Sequence, residues 1–279
     1  MKTFITGGSG MLGRVLVRHF DNVIAPSQEE FDLLKQIPEF SKCDTIIHCA
    51  AMTVVDDCEK NQSLCRQVNV EGTVRVVELA RLWNARLIFI STPMVFSGVN
   101  GNYREDDQPD PINLYGDTKR EAEQVVLAYP QGIVIRSNPI GVRPPGFFPS
   151  FIQWFVDAAR TNRSFELFTD VNVNPISTER LADAIVKLVG REVNDSILHL
   201  GSRDVANKAD IWERIRQQFP DYQGTVTRTS VDQTVAGTKA TRPKEMWLNV
   251  ERIQQVYGIP MPSWNEEVDR VVKEIMQTL

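Results

Sequence analysis

The chain is poor in cysteine and has no long hydrophobic run. Only four of its 279 residues are cysteines, and no two form a Cys-x-x-Cys pair, which argues against a zinc site and a disulfide framework. No apolar run approaches the roughly 20 residues that cross a bilayer. The sequence enters a predicted strand at residues 1–6, which leaves no room for a signal peptide. We therefore expect a reduced, cytoplasmic protein with no membrane partner.

Positive charge is also scarce. The formal net charge is -5 and the isoelectric point is about 5.4, which argues against a general nucleic-acid-binding surface. Asp56, Asp57 and Glu59 are clustered, but solvated acids at the start of a helix explain them, so we expect no metal site. The chain is long enough for one large α/β domain with a smaller lobe.

A glycine-rich loop follows the first predicted strand. Gly7, Gly10 and Gly13 have the spacing G-x-x-G-x-x-G, and Met11 and Leu12 open a helical pattern that runs to residue 20. Such a loop gives a tight turn and a bare backbone, and the helix N-terminus offers free N–H groups to phosphates. The loop therefore predicts a bound dinucleotide, either NADP(H) or NAD(H).

The end of the second predicted strand bears on which of the two is bound. An acid there bonds the ribose 2′-hydroxyl of NAD, and a basic residue favours the 2′-phosphate of NADP. Residues 26–28, Pro-Ser-Gln, are neither. Arg14 is placed to reach a 2′-phosphate, although an exposed helix arginine is the simpler reading. The balance favours NADP(H) without excluding NAD(H).

Further cofactor contacts are expected beyond this strand. Asp32 and Leu33 are candidates to contact the adenine, although an aspartate at a helix end is as often only a cap. A buried-strand pattern at residues 45–51 ends in small side chains, which would let the cofactor pass close above the strand. The candidates there are Ala50, Ala51 and Met52.

A tyrosine and a lysine lie four residues apart on one predicted helix face. An ammonium at Lys119 would stabilise the phenolate of Tyr115 and lower the tyrosine pKa toward neutrality. Thr92, at the end of the fourth predicted strand, could hold a substrate carbonyl while Tyr115 delivers a proton. Tyr-x-x-x-Lys also occurs by chance on helices, but here it follows a glycine loop and a Ser-Thr strand end in order. The pattern indicates a nicotinamide-dependent ketone reductase.

The order of predicted elements indicates an α/β fold. We expect a Rossmann-type, doubly wound parallel sheet and a smaller C-terminal mixed α/β substrate lobe. Residues 1–142 are assigned to the NAD(P)-binding domain and residues 143–279 mainly to the lobe, with 176–200 returning to the first domain. Residues 226–244 are predicted to be a loop. Helices at 64–83 and 113–128 are candidates for a homodimer face.

Several segments together match a known family. Besides the glycine loop they are residues 50–59, 69–73, 91–92, 115–119, 177–184 and 242–243. On these segments the chain resembles the extended short-chain dehydrogenase/reductases and, within them, the dTDP-4-dehydrorhamnose reductase group. The resemblance runs nearly end to end, and residues 50–59 look like a signature of that group.

The resemblance implies roles for individual residues. Thr92 bonds the substrate carbonyl, Tyr115 protonates it, and Lys119 holds the nicotinamide ribose and lowers the tyrosine pKa. A nucleotide sugar, the implied substrate, binds in the cleft between the lobes, and Lys239 and Arg242 are candidates for its diphosphate. The expected substrate contacts are Thr92, Pro93, Met94, Val95, Asn138 and Arg242.

The chain departs from the group at two places that face the sugar in family members. Pro93-Met94 stands where the group has Asp-Tyr, and residues 137–139, Ser-Asn-Pro, stand where it has an aromatic residue. Because Pro93 and Met94 cannot ionise, the acid/base step of a 4,6-dehydratase is excluded. A 4-epimerase remains open. So does a regulatory protein that keeps the cofactor site, like the regulatory subunit of methionine adenosyltransferase.

Overall fold

A computed structural model describes residues 1–35, 40–233 and 240–278. Its strands are β1 (Thr3–Thr6), β2 (Val23–Ile24), β3 (Thr45–His48), β4 (Arg86–Ser91), β5 (Gly132–Ser137), β6 (Pro139–Ile140), β7 (Phe165–Phe168), β8 (Asn172–Val173), β9 (Ile176–Ser177), β10 (Ile197–Leu200), β11 (Ala206–Asn207), β12 (Val226–Thr229) and β13 (Glu245–Met246). Its helices are α1 (Gly13–His19), α2 (Val55–Lys60), α3 (Gln62–Arg66), α4 (Gly72–Trp83), α5 (Leu114–Leu127), α6 (Phe151–Arg160), α7 (Thr178–Val189), α8 (Lys208–Arg216), α9 (Glu251–Gln255) and α10 (Trp264–Thr278).

A parallel sheet of six strands lies at the centre, in the order β2-β1-β3-β4-β5-β10. The chain passes from β1 to β2 on one side and then crosses to β3 on the other. The carboxyl ends of β1 and β3 therefore flank the point where the strand order reverses, and ligands of open α/β sheets bind there.

Helices cover both faces of this sheet. On one face α1 and α7 pack around Leu16, Leu181 and Ile185, and on the other α4 and α5 pack around Val76 and Val126. Strands buried on both faces are expected to be continuously apolar, which is why β3 was recognisable in the sequence. The predicted Rossmann-type α/β fold is confirmed.

A third apolar cluster forms the C-terminal lobe. Helices α6, α8 and α10 pack together around Trp212, and β12 pairs in parallel with β7 beside them. The prediction of a loop over residues 226–244 is therefore wrong for β12. This edge strand, Val-Thr-Arg-Thr, is polar and has no fully buried residue, so it lacks the hydrophobic signal of a buried strand.

Two later segments pack on the first domain. Residues 197–200 are the sixth strand of its sheet, and Ile176, Leu181 and Leu198 are buried in the cluster that covers α1. We propose on this packing that residues 176–200 belong with 1–142. Residues 250–261 pack on the same cluster. In the part of the chain that the structure describes, no helix is long and apolar enough to span a membrane.

Candidate active site

The glycine loop and the end of β3 approach each other closely. Gly7 has a φ of +68°, and a Cβ there would lie 2.8 Å from the backbone nitrogen of Ala50. A Cβ on Gly13 would lie 2.0 Å from the Gly7 carbonyl oxygen, so α1 begins directly against the loop. Gly10 donates its N–H to that same carbonyl, at 2.9 Å. A bare backbone at the start of a helix fits the pyrophosphate of a dinucleotide.

The other predicted residues of this edge differ in their exposure. Leu12 is buried in the core, whereas Met11 is half-buried beside Gly141 in the turn after β5. Ala51 and Met52 are half-buried, and the backbone of Met52 is fixed by Asn69, which accepts from its N–H at 2.8 Å and donates to its carbonyl at 3.1 Å.

The two predicted adenine contacts, Asp32 and Leu33, differ in their surroundings. Asp32 caps the turn after it by accepting from the Leu34 N–H, and it pairs with Lys35 at 3.3 Å. Leu33 is buried, with its side chain against Gly72 in the core. Arg14, predicted to approach a 2′-phosphate, instead donates to the carbonyl of Val142 at 2.7 Å. It also lies 3.8 Å from the carboxylate of Glu274 in α10.

Thr92 and Tyr115 are neighbours in the site, close enough for the side chain of Thr92 to lower the pKa of the Tyr115 phenol. Thr92 directly follows β4 and caps a 3₁₀ turn over Pro93–Val95 by accepting from the Met94 N–H at 3.2 Å. The side chain of Asn113 accepts from Gly116 N–H and starts α5, which puts Tyr115 in the first turn of that helix. The two predicted catalytic hydroxyls therefore lie together.

The pKa of Tyr115 is raised, because burial of the phenol outweighs the lowering effect of the Thr92 side chain. The prediction that Lys119 lowers the pKa of Tyr115 toward neutrality is therefore wrong for the protein without its cofactor. Burial of the phenol disfavours its anionic form, and this cost exceeds every favourable contribution from the surrounding side chains.

Lys119 lies one turn further along α5 and is only 3% exposed. Its ammonium donates to the carbonyl of Ile90 at 2.7 Å and lies 3.8 Å from the ring centroid of Phe89. Burial lowers the pKa of Lys119 to about 7, although the carboxylate of Glu123 opposes this shift. Lys119 is thus poised to gain or lose a proton near neutral pH.

A buried ion pair that the sequence analysis missed lies beneath Lys119. Arg136 of β5 contacts Glu123 at 2.7 Å, and both side chains are 2% exposed. Ser91 donates to the same carboxylate at 2.5 Å. Glu123 follows Lys119 by four residues and so shares its helix face, which is the one available signal in the sequence. Nothing in the sequence shows that Arg136 points inward to meet it.

The predicted substrate contacts divide into accessible and buried side chains. Met94 is half-buried against the cluster of the C-terminal lobe, and Asn138 donates to the carbonyl of Met246 at 2.6 Å. Pro93 is buried. Val95 is fully buried with Phe96 in a small apolar cluster, and its role as a substrate contact stays a prediction.

The side chain of Arg242, in the C-terminal part of the chain, contacts α2. Its guanidinium pairs with Asp56 at 2.9 Å, and the other oxygen of that carboxylate accepts from Ala240 N–H. Glu59 accepts from Leu114 N–H at the start of α5. Asp56 and Glu59 therefore connect α2 to the C-terminal lobe and to α5, and the prediction that they are solvated charges is wrong.

Two further predictions concern charged ligands. Lys239, the second candidate for the diphosphate, lies outside the described residues. Across residues 1–35, 40–233 and 240–278, no three side chains of metal-ligand type are clustered.

Comparison with known proteins identifies relatives of this chain. It matches the RmlD substrate-binding domain over residues 1–277. The dTDP-4-dehydrorhamnose reductase of Mycolicibacterium smegmatis is 29% identical over 283 residues, which cover 98% of this chain and 85% of that one. The methionine adenosyltransferase 2 subunit beta of Bos taurus is 33% identical over 156 residues, which cover 50% of this chain and 46% of that one.

A solved structure has the same fold over almost the whole chain. The dTDP-4-dehydrorhamnose reductase of Bacillus anthracis, crystallised in complex with NADP, is 25% identical and has a TM-score of 0.88, covering 98% of this chain and 100% of that one. The predictions of an oxidoreductase and of a nicotinamide cofactor are thereby confirmed at the level of the family. With the match extending over residues 1–277, the chain belongs to the RmlD substrate-binding domain family of extended short-chain dehydrogenase/reductases.

Proposed function

We propose that the protein reduces the 4-keto group of a nucleotide-activated deoxysugar, as the relatives named dTDP-4-dehydrorhamnose reductase do. The observation that carries the proposal is the position of Thr92 beside Tyr115 at the carboxyl edge of the sheet, with Lys119 one turn further along the tyrosine's helix. A purely structural helix would not need these two hydroxyls and a buried lysine at the sheet edge where the glycine loop lies.

Thr92 and Tyr115 have different roles in the proposed reduction. When bound, a nicotinamide cofactor would supply the hydride for the carbonyl carbon. The hydroxyl of Thr92 holds the carbonyl oxygen, and Tyr115 delivers a proton to that oxygen as negative charge develops on it. The raised pKa of Tyr115 suits this direction of reaction, because it keeps the phenol protonated and able to donate at neutral pH.

Lys119 has a separate role in this proposal. Its ammonium is anchored on the Ile90 carbonyl at the end of β4, on the same helix face as Tyr115. From there it holds the nicotinamide ribose. We propose NADPH as the preferred cofactor, supported by the NADP complex of the Bacillus anthracis relative.

A second candidate is a regulatory protein that binds the cofactor without turnover. The relatedness to methionine adenosyltransferase 2 subunit beta over half of the chain favours it. So does Pro93-Met94, which replaces residues of the sugar side in the reductase group. A nucleotide-sugar 4-epimerase would use the same three residues and return the cofactor to its starting state.

The test is oxidation of NADPH, and separately of NADH, by the purified protein with a dTDP-4-keto-6-deoxy sugar generated in the assay. We expect consumption of NADPH that depends on the sugar. Cofactor binding without oxidation would favour the regulatory candidate, and an altered sugar without net oxidation would favour the epimerase.

A further inference from the structure

Lys119 and Glu123 of α5 are fixed to consecutive residues of β4. The ammonium of Lys119 donates to the carbonyl of Ile90 at 2.7 Å, and the next residue, Ser91, donates its hydroxyl to the carboxylate of Glu123 at 2.5 Å. Thr92 follows directly in the chain. The carboxylate is therefore bound to the same strand end on which the ammonium rests and from which the predicted catalytic threonine extends.

The carboxylate of Glu123 is also held from a second strand. Arg136 of β5 is the partner of Ser91 in the sheet register. Its Nε donates to the two carboxylate oxygens at 3.0 and 3.2 Å, and its Nη2 donates to one of them at 2.7 Å. Donors from two neighbouring strands thus fix Glu123, whose side chain is only 2% exposed.

Arg136 is itself held in place by neutral groups. Nδ1 of His199 lies 3.0 Å from the carbonyl of Tyr103, which can only accept, so Nδ1 carries the proton and Nε2 accepts from Nη1 of Arg136 at 3.4 Å. Burial lowers the pKa of His199 well below its usual value, so this ring adds no charge. The guanidinium also lies 4.9 Å from the ring centroid of Phe96. All three nitrogens of the guanidinium therefore have acceptors, and Glu123 cannot turn away from β4 without breaking buried bonds.

The charge of Lys119 depends on this carboxylate. Burial lowers the pKa of Lys119 to about 7, and among the side chains that oppose this shift Glu123 contributes most. Glu123 follows Lys119 by four residues, so the two side chains lie on the same helix face. A buried ammonium that rests on one carbonyl and one aromatic ring needs a nearby negative charge to stay protonated near neutral pH.

Other titratable groups face Lys119 from β3, from the residue after it, from α3 and from α5 itself, namely His48, Cys49, Cys65 and Tyr115. Burial lowers the pKa of His48 to about 3, and it raises the pKa of Cys49 to about 12 and that of Tyr115 further, so these three are uncharged near neutral pH. The neighbouring thiol of Cys58 lowers the pKa of Cys65 to about 7. Of the four groups, Cys65 alone can therefore change its charge in the same pH window as Lys119.

We propose that Glu123, fixed by Ser91 and Arg136, is a positioning residue that keeps Lys119 charged and seated on β4, where the ammonium holds the nicotinamide ribose. The proposal rests on the proposed function, because it takes the role of Lys119 from there. Glu123 acts through Lys119 and takes no part in hydride or proton transfer.

The experiment measures the affinity for NADPH by fluorescence titration from about pH 6 to about pH 9.5 in the wild type and in Glu123→Gln. The charged form of Lys119 binds the ribose, so the affinity of the wild type should fall as the pH rises through the pKa of this lysine. Glu123→Gln removes the negative charge that favours the ammonium, so it should move this fall to lower pH by about one pH unit. Glu123→Asp keeps the charge and should restore most of the wild-type profile.

Control variants separate the effect of charge from that of folding. Glu121→Gln, on the same helix, removes a partly exposed carboxylate that pairs with Arg66 and should keep the wild-type profile. Cys65→Ser removes the other group that titrates in this window and should also keep it. If Glu123→Gln does not fold because Arg136 is left without its partner, the double variant Glu123→Gln/Arg136→Met removes both buried charges and should show the same direction of shift.

The outcomes distinguish this inference from the proposed function. If the wild type reduces the dTDP sugar and Glu123→Gln loses affinity for NADPH equally at every pH, or keeps the wild-type profile, the inference is overturned and the function stands. If the profile moves with the charge of Glu123 but no sugar is reduced, the positioning role stands and the reductase proposal fails. A wild-type affinity for NADPH that stays constant over the whole pH range overturns the inference whether or not a sugar is reduced.

Discussion

At the scale of residues, the site is shaped by the burial of two groups that ionise. Burial favours the neutral form of each, so it raises the pKa of Tyr115 and lowers that of Lys119. The tyrosine is consequently a proton donor at neutral pH, whereas the lysine is near its midpoint. Sequence spacing predicted that both side chains share a helix face, but it could not predict how deeply each is buried.

The lowered pKa of Lys119 makes its charge a cost to the folded state. The unfolded chain binds the extra proton between pH 7 and 10.5, so the stability due to this residue rises with pH across that window. Lys119→Met should therefore stabilise the protein, by about 1 kcal/mol or more below pH 7, and the gain should vanish near pH 10.5.

Urea unfolding at pH 6.5 and at pH 10 would measure this difference. Lys187→Met, which removes an exposed lysine, serves as the control and should show no such dependence. A stabilisation by Lys119→Met that is equal at both pH values would contradict the assignment of the shift to this lysine.

At the scale of elements, an interrupted helix organises the site. Prediction gave one helix over residues 64–83, but the structure has α3, a π turn over Gln67–Glu71, and α4. The π turn presents Asn69 inward, where it bonds the backbone of Met52 and donates to Thr118 on α5. Apolar periodicity predicts a helix but not an inserted residue, so the turn was not foreseeable.

Asn69→Ala should destabilise the protein by about 1–3 kcal/mol, because it leaves the backbone groups of Met52 and the hydroxyl of Thr118 without this partner. The substitution should also weaken the binding of NADPH, since Met52 follows β3 at the sheet edge where the glycine loop lies. Gln67→Ala, in the same turn but exposed, should change stability by less than about 0.5 kcal/mol.

Urea unfolding and fluorescence titration of NADPH would measure these two effects. A variant at Asn69 with wild-type stability and wild-type affinity would show that the turn does not support the cofactor edge.

Local sequence signals predicted some elements of the site, whereas contacts between residues far apart in the chain could not be predicted. The glycine loop, β4 and α5 were predictable because each has a local signal, namely glycine spacing, an apolar run or a helical face. The pairing of Glu123 with Arg136, and that of Asp56 with Arg242, joins residues far apart in the chain. One sequence shows which of these side chains are charged but not which ones meet.

At the scale of the whole molecule, the lobe is held to the first domain by polar contacts around the site. Asp56–Arg242 and Asn113–Thr241 both connect the C-terminal part to elements next to Tyr115. Packing of residues 250–261 on the first domain adds an apolar contact. The composition predicted two parts, but their connections depend on contacts that only the folded chain brings together.

The predicted homodimer remains to be tested at this scale. Apolar side chains are exposed along the helices in question, with Leu82 79%, Leu64 42% and Leu127 37% exposed. We expect light scattering to give about twice the chain mass of 31.6 kDa, and Leu82→Lys to reduce the mass toward one chain. Val256→Lys, at an exposed position on another surface, should not do so.

A wild-type mass equal to that of a single chain would contradict the homodimer.

The most direct test of the proposed chemistry is Tyr115→Phe, measured for both turnover and cofactor binding. We predict a fall in kcat for the dTDP-4-keto-6-deoxy sugar of at least about 100-fold, because the proton donor is lost, with NADPH affinity near that of the wild type. Tyr222→Phe is the control. It removes a hydroxyl that donates to the backbone carbonyl of Arg163 in the lobe, and it should leave kcat unchanged. Turnover by Tyr115→Phe at the wild-type rate would contradict the account.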